Sequence, residues 1–500
     1  MNLNSLPLVS IITVNYNGKV YLKNLFESLS LLDYPKDKIQ IIMVDNASGD
    51  DSVRFTQENF PFVKVIRCRK NTGFAEGNNI GLSHADGELI AIINNDCVAE
   101  PGWLLAMVRA LFEKEKESAD SGNRSCKVGA IGSKIFFYYR YYPLNICFER
   151  NNTGSGSGDT HCAEINKIEL NIISEIYDKS HESQQQQKNE SEITGFLLKR
   201  SIRYLSGIVP AGRNSNGEII YKTERKSLIG IPVPDSNFKI SIRIDFSVLP
   251  VGERINIKIA DKEIISKTIE NNREIIAFEI NDAGLQAPRY IVNSRGSMIN
   301  KKFYAKEIGY DEFDSESDTR TQAEIPAARD EKITEVFAIP GTGFLCRKSV
   351  LEAAGFFDSK FFTYYEDIDF FWRLKLSGYR SYICADSVLR HLHCGSGTEW
   401  SYSFTYHVLR NRMLMIYKCA WFGAFIKNYL SFAASAFIGL AYGIILKIRK
   451  ISSSRPDVPI RIRILFEFFI LFFRKLPERI KIRKNKIISD DEIIKWLNDF

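Results

Sequence analysis

The sequence predicts an α/β protein with a mostly parallel sheet, an inserted antiparallel β domain and a helical, basic C-terminal region. Three observations predict it. Over the first hundred residues, β-branched apolar runs alternate with stretches whose apolar residues recur at helical spacing. Between 200 and 305 the pattern changes to strict period-two alternation, broken by Pro, Gly, Asn and Asp. Beyond Tyr402 the spacing is helical again, and two apolar runs are bracketed by Lys and Arg.

The elements follow in order. Residues 8–14 form a first buried strand, Asn15 to Gly18 a turn, and Val20 to Leu31 a helix. Residues 39–44 form a second strand that ends at Asp45-Asn46-Ala47-Ser48-Gly49-Asp50, with Asp51 expected to cap the next helix. A third strand spans 62–66, and the loop 71–79 leads into a helix over 77–84. A fourth strand, 88–93, ends at Asn94-Asn95-Asp96. The polar clusters at 15–18, 45–50, 71–79 and 94–96 share the carboxyl edge of the sheet, where open α/β sheets bind ligands.

Gly-Ser repeats at 154–158 and four glutamines at 184–187 mark a low-complexity stretch, so 141–199 reads as a linker and 200–308 as the inserted β-sandwich domain. The α/β texture resumes near 333. Residues 342–355 are a strand passing into a helix, 365–378 a helix with an acidic start and Gly378 at its end, and 379–385 a strand followed by the loop 391–398. The organisation is thus 1–140, linker, insert, 309–400 and the helical region 401–500.

Composition excludes several classes. Charged residues at 25% and hydrophobic ones at 45% rule out a wholly disordered chain and a multi-spanning membrane protein. Nine cysteines without a CxxC pair in 500 residues make neither a disulfide scaffold nor a zinc ribbon, and suit a reduced, cytoplasmic setting. The N-terminus lacks a basic segment and a cleavage site, and reads as the first strand. The net charge of +7 is uneven: thirteen Lys/Arg face three acids in 447–486, so that stretch carries +10 and the remainder −3. Such a distribution does not suggest a nucleic-acid partner.

Three groups of residues can carry chemistry. Asn94-Asn95-Asp96 closes a buried strand, where a carboxylate can hold a divalent cation on a diphosphate, although the same residues also build turns. Glu366, Asp367 and Asp369 occupy the first turn of a helix, where the dipole favours acids. One of them could also deprotonate a hydroxyl, and the surrounding aromatic residues offer stacking surfaces for sugars. His391 and His393, two residues apart at a strand end, point the same way and could reach a metal.

These motifs resemble a family 2 glycosyltransferase of the GT-A (nucleotide-diphospho-sugar transferase) fold, in the rhamnosyl- and galactofuranosyl-transferase-like branch. VSIITVNYNGKVYLKNLFESL, VDNASGDDS, NTGFAEGNNIGL and NNDCVAEPGWL stand in the family's order, and IPGTGFLCRKSVLEAAGFFDSKFFTYYEDIDFFWRLKLSG matches the second half. The resemblance covers about 1–135 and 309–415. It implies that Asp45 holds the nucleoside and that Asn94-Asn95-Asp96 stands at the Asp-X-Asp motif, with Asp96 keeping the ligand position for Mg²⁺ or Mn²⁺. Asp367 falls at the catalytic-base position with Glu366 beside it. His391 falls at a late-loop metal ligand, with His393 competing, and Trp372 and Arg373 line the acceptor side. Gly309 to Asp314 resembles an acidic loop of this branch, and no role follows for it.

The resemblance implies a metal-dependent, inverting transfer from a nucleotide diphosphate-sugar to a hydroxyl of a glycan or lipid-linked acceptor. Two other readings stay open, a sugar nucleotidyltransferase and a non-catalytic glycan-binding or scaffold protein. The eighteen uncharged residues 429–446 would make a helix of about 27 Å, just short of a bilayer core. With their basic flanks they suggest association with the cytoplasmic face of a membrane.

Overall fold

The computed structural model describes residues 6–120, 127–149, 161–172, 201–213, 219–233, 239–281, 285, 287–314, 332–392, 401–448 and 457–500. The chain divides into two units, one of Met1–Tyr138, Asn293–Tyr310 and Asp318–Phe500, the other of Tyr139–Val292 and Asp311–Ser317.

The first unit is built on a mixed sheet. Strand Val9–Asn15 pairs in parallel with Ile39–Asp45 on one side and Leu89–Ile93 on the other, and Val63–Arg67 extends it beyond Ile39–Asp45. Gly343–Arg347 joins Leu89–Ile93 antiparallel, followed by residues from 127 onward and then Tyr379–His391. Alternate residues of each strand enter opposite layers. Ile12, Ile42 and Ile92 face one, while Ile11, Ile41 and Ala91 face the other, all of them buried. Both faces are thus covered, as a parallel sheet requires. The first strand has its sequential successor on one side and the fourth strand on the other. That reversal opens a crevice at the carboxyl ends of the first and fourth strands.

Local details differ from expectation in three places. Asp51 makes no side-chain cap on helix Ser52–Asn59 and pairs with Arg54 at 2.9 Å. Asp50 accepts the Ser52 N–H at 3.1 Å instead. The helix expected over 77–84 begins earlier, at Gly73, and strand 379–385 runs on to His391. Gly378, with φ +80°, does follow the end of helix Glu366–Leu376.

The second unit is antiparallel. Lys239–Val248 lies between Glu274–Asn281 and His161–Ile172, and Ile219–Val233 pairs with Arg203–Arg213. The stretch read as a linker therefore contains structure: 141–149 belongs to strand Lys127–Glu149, and 161–172 is a strand of the sheet. Its own alternation accounts for this, because Tyr142, Leu144, Ile146 and Phe148 point into the core. The insert starts at Tyr139 and not at 200, and 293–308 belongs to the first unit. Asp311, in the acidic loop, receives a two-pronged pair from Arg203 at 2.8 and 2.9 Å within the second unit.

The C-terminal helices belong to the first unit. Tyr402–Cys419, Phe422–Ile448 and Asp457–Lys484 pack together through Tyr417, Phe425, Phe468 and Phe472. Strand Leu497–Asn498 pairs with Ser297–Asn300. Part of each apolar run is therefore core, and part stays exposed.

The buried side chains Leu144, Ile146, Ile165 and Leu170 lie before residue 200 and complete the β core. A fragment of residues 139–314 should melt cooperatively by circular dichroism, whereas 200–305 should not. Equal cooperativity of the two would show that the first strands are dispensable.

Candidate active site

Register builds the donor side of the crevice. Asn15 lies opposite Asp45 at the strand ends. Its Nδ2 donates to Asp45 Oδ1 at 3.4 Å and to Ser48 Oγ at 3.2 Å, while its Oδ1 accepts from Asn95 Nδ2 at 2.9 Å. Asp45 Oδ2 accepts the Ser48 N–H at 3.1 Å. Asn15 thus joins the two expected residues Asp45 and Asn95 into one buried chain. Gly18 lies so close that a Cβ there would run into Asn95 Nδ2. Next to Asp45, Asn46 donates to the Gly73 carbonyl at 2.9 Å and accepts from Thr72 Oγ1 at 2.8 Å, which fixes the Asn71–Gly73 loop. Gly73 has φ +83°, and a Cβ would stand 2.5 Å from the Phe362 carbonyl oxygen, so only glycine fits.

The structure brings Asp96 and His391 together. Residues Cys97 and His391 are opposite each other in antiparallel strands, and His391 Nε2 lies 3.1 Å from Asp96 Oδ1. On the far side of the ring, Nδ1 is 3.3 Å from Asn293 Oδ1. When Nδ1 donates to that amide oxygen, Nε2 is left as an acceptor facing the carboxylate, the tautomer a metal ligand needs. Asp96, Cys97 and His391 are the cluster with metal-binding spacing among the described residues. The carboxylate oxygen suits Mg²⁺ or Mn²⁺, and the imidazole nitrogen favours a transition metal such as Mn²⁺ over Mg²⁺. Burial raises the Cys97 thiol far above its ordinary range and Asp96 raises it further, so Cys97 stays a protonated thiol and a poor ligand. Asn94 stands where the resemblance places the first acid. Its Oδ1 is buried without a hydrogen-bond partner among the described residues, so a cation or hydroxyl would satisfy it. His393 lies outside the described residues.

The acidic helix supplies the opposite wall. Asp367 Oδ2 accepts the Gly341 N–H at 2.9 Å, and its Oδ1 accepts the Ile368 N–H at 2.7 Å. The next residue, Thr342, accepts the Asn94 N–H at 3.1 Å. Gly341-Thr342 therefore holds the base candidate on one residue and the Asn94 strand end on the following one. Enclosure raises the Asp367 carboxyl above the ordinary range, and backbone N–H groups partly oppose it. Glu366 is buried with Oε2 unpartnered among the described residues. Burial, then Asp367 and Asp369, raise it well above the usual carboxylate range.

A third carboxyl, Glu307, accepts from Ser297 at 3.0 Å and also from Ser294. Enclosure and the charge of Asp367 push it up to about 7, although part of its side chain still meets solvent. No sequence signal pointed to it, because 301–308 read as part of the insert. Asn411 was also missed. Its Nδ2 lies 2.8 Å from the carbonyl oxygens of Phe361, Thr363 and Tyr364. Phe362, Tyr364 and Tyr365 all have φ between 64° and 67°, in the left-handed region, directly before the acidic helix.

Two expected acceptor-side residues are not there. Trp372 is 1% exposed and stacks on Phe303 with ring centroids 5.5 Å apart. Arg373 is buried, pairs with Asp369 at 2.8 Å and donates to the carbonyls of Ala354, Gly355 and Phe356. Five and six residues beyond Asp367, about one and a half helical turns, both side chains face the core.

With this geometry in place, comparison with known proteins is informative. Residues 10–159 match the model of Glycosyl transferase family 2. The "Probable glycosyltransferase YdaM" of Bacillus subtilis is 28% identical over 30% of this chain and 36% of its own length. The poly(ribitol-phosphate) beta-N-acetylglucosaminyltransferase TarS of Staphylococcus aureus is 29% identical over 17% of this chain and 16% of its own. The chain thus spans about a third or less of the length of these relatives. The solved S. aureus TarS 1–349 in complex with UDP-GlcNAc aligns at 20% identity and TM-score 0.21 over 32% of this chain and 39% of that one. GalNAc-T7 with UDP, GalNAc and Mn²⁺ aligns at 11% identity and TM-score 0.44 over 94% and 57%. Residues 10–159 are thus similar to glycosyl transferase family 2, the sheet that carries them is of the α/β class, and the relatives support a glycosyltransferase. They do not single out the rhamnosyl or galactofuranosyl branch.

Two outcomes follow from this geometry. Asn411→Ala should cost about 1–3 kcal/mol by leaving buried carbonyls unpaired, seen as a lower Tm. An unchanged Tm would mean that the left-handed loop holds itself. Glu307 has a raised native pKa, so its contribution to stability is complete below its unfolded value near 4.5 and is lost as pH rises through about 7. Melts of Glu307→Gln should lack that decline, and parallel pH profiles of the two proteins would contradict the assignment.

Proposed function

We propose that this protein transfers a sugar from a nucleotide diphosphate-sugar to a hydroxyl of a glycan or lipid-linked acceptor, by direct displacement with inversion. The observation that carries the reading is the Gly341-Thr342 segment, which ties Asp367 and the Asn94 strand end to adjacent residues. Donor and base sites must adjoin for a single displacement. Asp45 and Asn15 would receive the nucleoside, and Asp96 with His391 would hold Mg²⁺ or Mn²⁺. That ion, when bound, neutralises charge on the leaving diphosphate. Asp367 accepts the acceptor's hydroxyl proton as the oxygen attacks the anomeric carbon. The anomeric C–O bond to the diphosphate breaks as the new one forms. The carboxylate held by two backbone N–H groups keeps its orientation through this step. A donor of UDP type is favoured by the TarS complex, and the rhamnosyl and galactofuranosyl branch by the motif order.

A donor panel read by released nucleoside diphosphate, with and without Mn²⁺, tests the reading. Asp367→Asn should lower turnover by about 10²–10⁴ while leaving donor affinity nearly intact. Wild-type turnover in the folded variant would move the base elsewhere. Because the Asp367 pKa is raised, the acid limb of the pH–rate profile should lie above the ordinary aspartate value of about 4.

The metal ligands have their own readout. Asp96→Ala and His391→Ala should each abolish the Mn²⁺-dependent part of nucleoside diphosphate binding in calorimetry. Metal-dependent affinity equal to that of the unaltered protein would make the Asp96–His391 contact a structural hydrogen bond.

A further inference from the structure

The two long C-terminal helices carry large apolar residues on their outer side as well as in the core. Phe422–Ile448 and Asp457–Lys484 run antiparallel: Arg461 donates to Ser435 at 3.0 Å, and Phe425 stacks on Phe468 with centroids 5.8 Å apart. Gly439 faces Val458 so closely that a Cβ would stand 2.7 Å from its Cγ2. Buried Phe425, Phe432, Phe468 and Leu471 hold the pair to the core. The outer face carries Phe466 at 76% exposure, Phe469 at 68% and Phe473 at 60%, with Leu430, Phe437 and Ile438 on the neighbouring helix. Positions 466, 469, 470, 473 and 480 recur at helical spacing and form one stripe. Exposed Arg463, Arg474 and Lys481 form a basic row along one edge of it.

Residues Phe422–Tyr442 have mean hydropathy 1.3 and enough length to cross a bilayer, yet their helix packs antiparallel against a helix rich in Arg and Lys. We propose that this hairpin lies on the surface of an anionic lipid bilayer. The apolar stripe enters the acyl boundary and Arg463, Arg474 and Lys481 sit at phosphate depth. A second copy is the less suitable occupant, because it would set one +10 stretch against another. The inference goes beyond the transferase reading and does not depend on it.

Flotation of the full-length protein with phosphatidylcholine vesicles, with and without phosphatidylglycerol, tests the proposal. The protein should float with anionic vesicles and lose this at high salt. Phe466→Ser/Phe469→Ser/Phe473→Ser should not float. Arg463→Gln/Arg474→Gln/Lys481→Gln should partition about a hundredfold less, at about fivefold per charge. The basic-row variant alters exposed side chains only and carries the test alone if the aromatic one misfolds. Wild-type protein that stays with the heavy fraction at low salt overturns the proposal. Salt-independent, carbonate-resistant flotation with neutral vesicles overturns it in favour of a spanning hairpin. A solution dimer that the phenylalanine changes dissolve, without any vesicle binding, overturns it in favour of a second copy.

Discussion

The Lys418 ammonium fixes the geometry on which the candidate site depends. It is 0% exposed and lies 2.8 Å from Asp358, 2.9 Å from Asp369 and 2.9 Å from Glu478. Burial alone would lower its pKa, but Asp369 and Asp358 more than reverse this and raise it above the lysine range. Burial would likewise raise Asp358, and Lys418 with Lys475 outweigh it and hold that carboxyl far below the usual range. Asp369 is two residues from Asp367 on the same helix, while Asp358 precedes the left-handed loop. One buried cation therefore ties the acidic helix, the loop before it and the C-terminal helix Asp457–Lys484 together. Such clusters gain little net free energy against an apolar alternative, but removing one partner costs several kcal/mol. Their main effect here is orientation: the helix that carries Asp367 cannot rotate without stranding a charge.

Backbone strain collects around the same crevice. Asn17 and Ala47 have positive φ beside Asn15 and Asp45, and Phe362, Tyr364 and Tyr365 have it beside the acidic helix. Each such residue costs on the order of 1–3 kcal/mol and persists only where its surroundings enforce it. Asn411 and the Phe362 carbonyl, which receives the Ala75 N–H at 3.1 Å, are that enforcement. The loops are held in place before any ligand arrives, which lowers the ordering cost of binding.

Legibility in the sequence followed the range of the interaction concerned. Period-two and helical patterns are local, so the parallel strands and their polar carboxyl ends could be read directly, and Asp45, Asp96 and Asp367 are at those ends or facing them. Asp51 against Asp50 was a choice between neighbours that only backbone geometry decides. Trp372 and Arg373 failed because the helix phase relative to the core is set by distant residues such as Phe303 and Ala354. Glu307 became part of the site only because a chain segment far from Asp367 in sequence returns to it. The insert's first strands were hidden by the low-complexity residues beside them, although Tyr142 to Phe148 carried the alternation in full.

The helix Asp457–Lys484 shows how one segment meets two environments. Its inward side combines core residues, Ile464, Phe468 and Leu471, with paired charges: Glu467 accepts from Arg410 at 2.9 Å, Lys475 reaches Asp358, and Arg479 donates to the Tyr417 carbonyl. Its outward side holds phenylalanine. A helix selected only for water would keep the buried apolar residues and lose the exposed rings, since burying charge and exposing aromatic rings both cost free energy. The inward charges are explained by Lys418 and the site it orients. The outward rings have no such partner within the described residues, and their basic border matches an anionic surface. If that surface is a bilayer and Asp367 the base, as proposed, one helix serves both, and a lipid-linked hydroxyl would meet a carboxylate held rigidly with respect to the membrane plane.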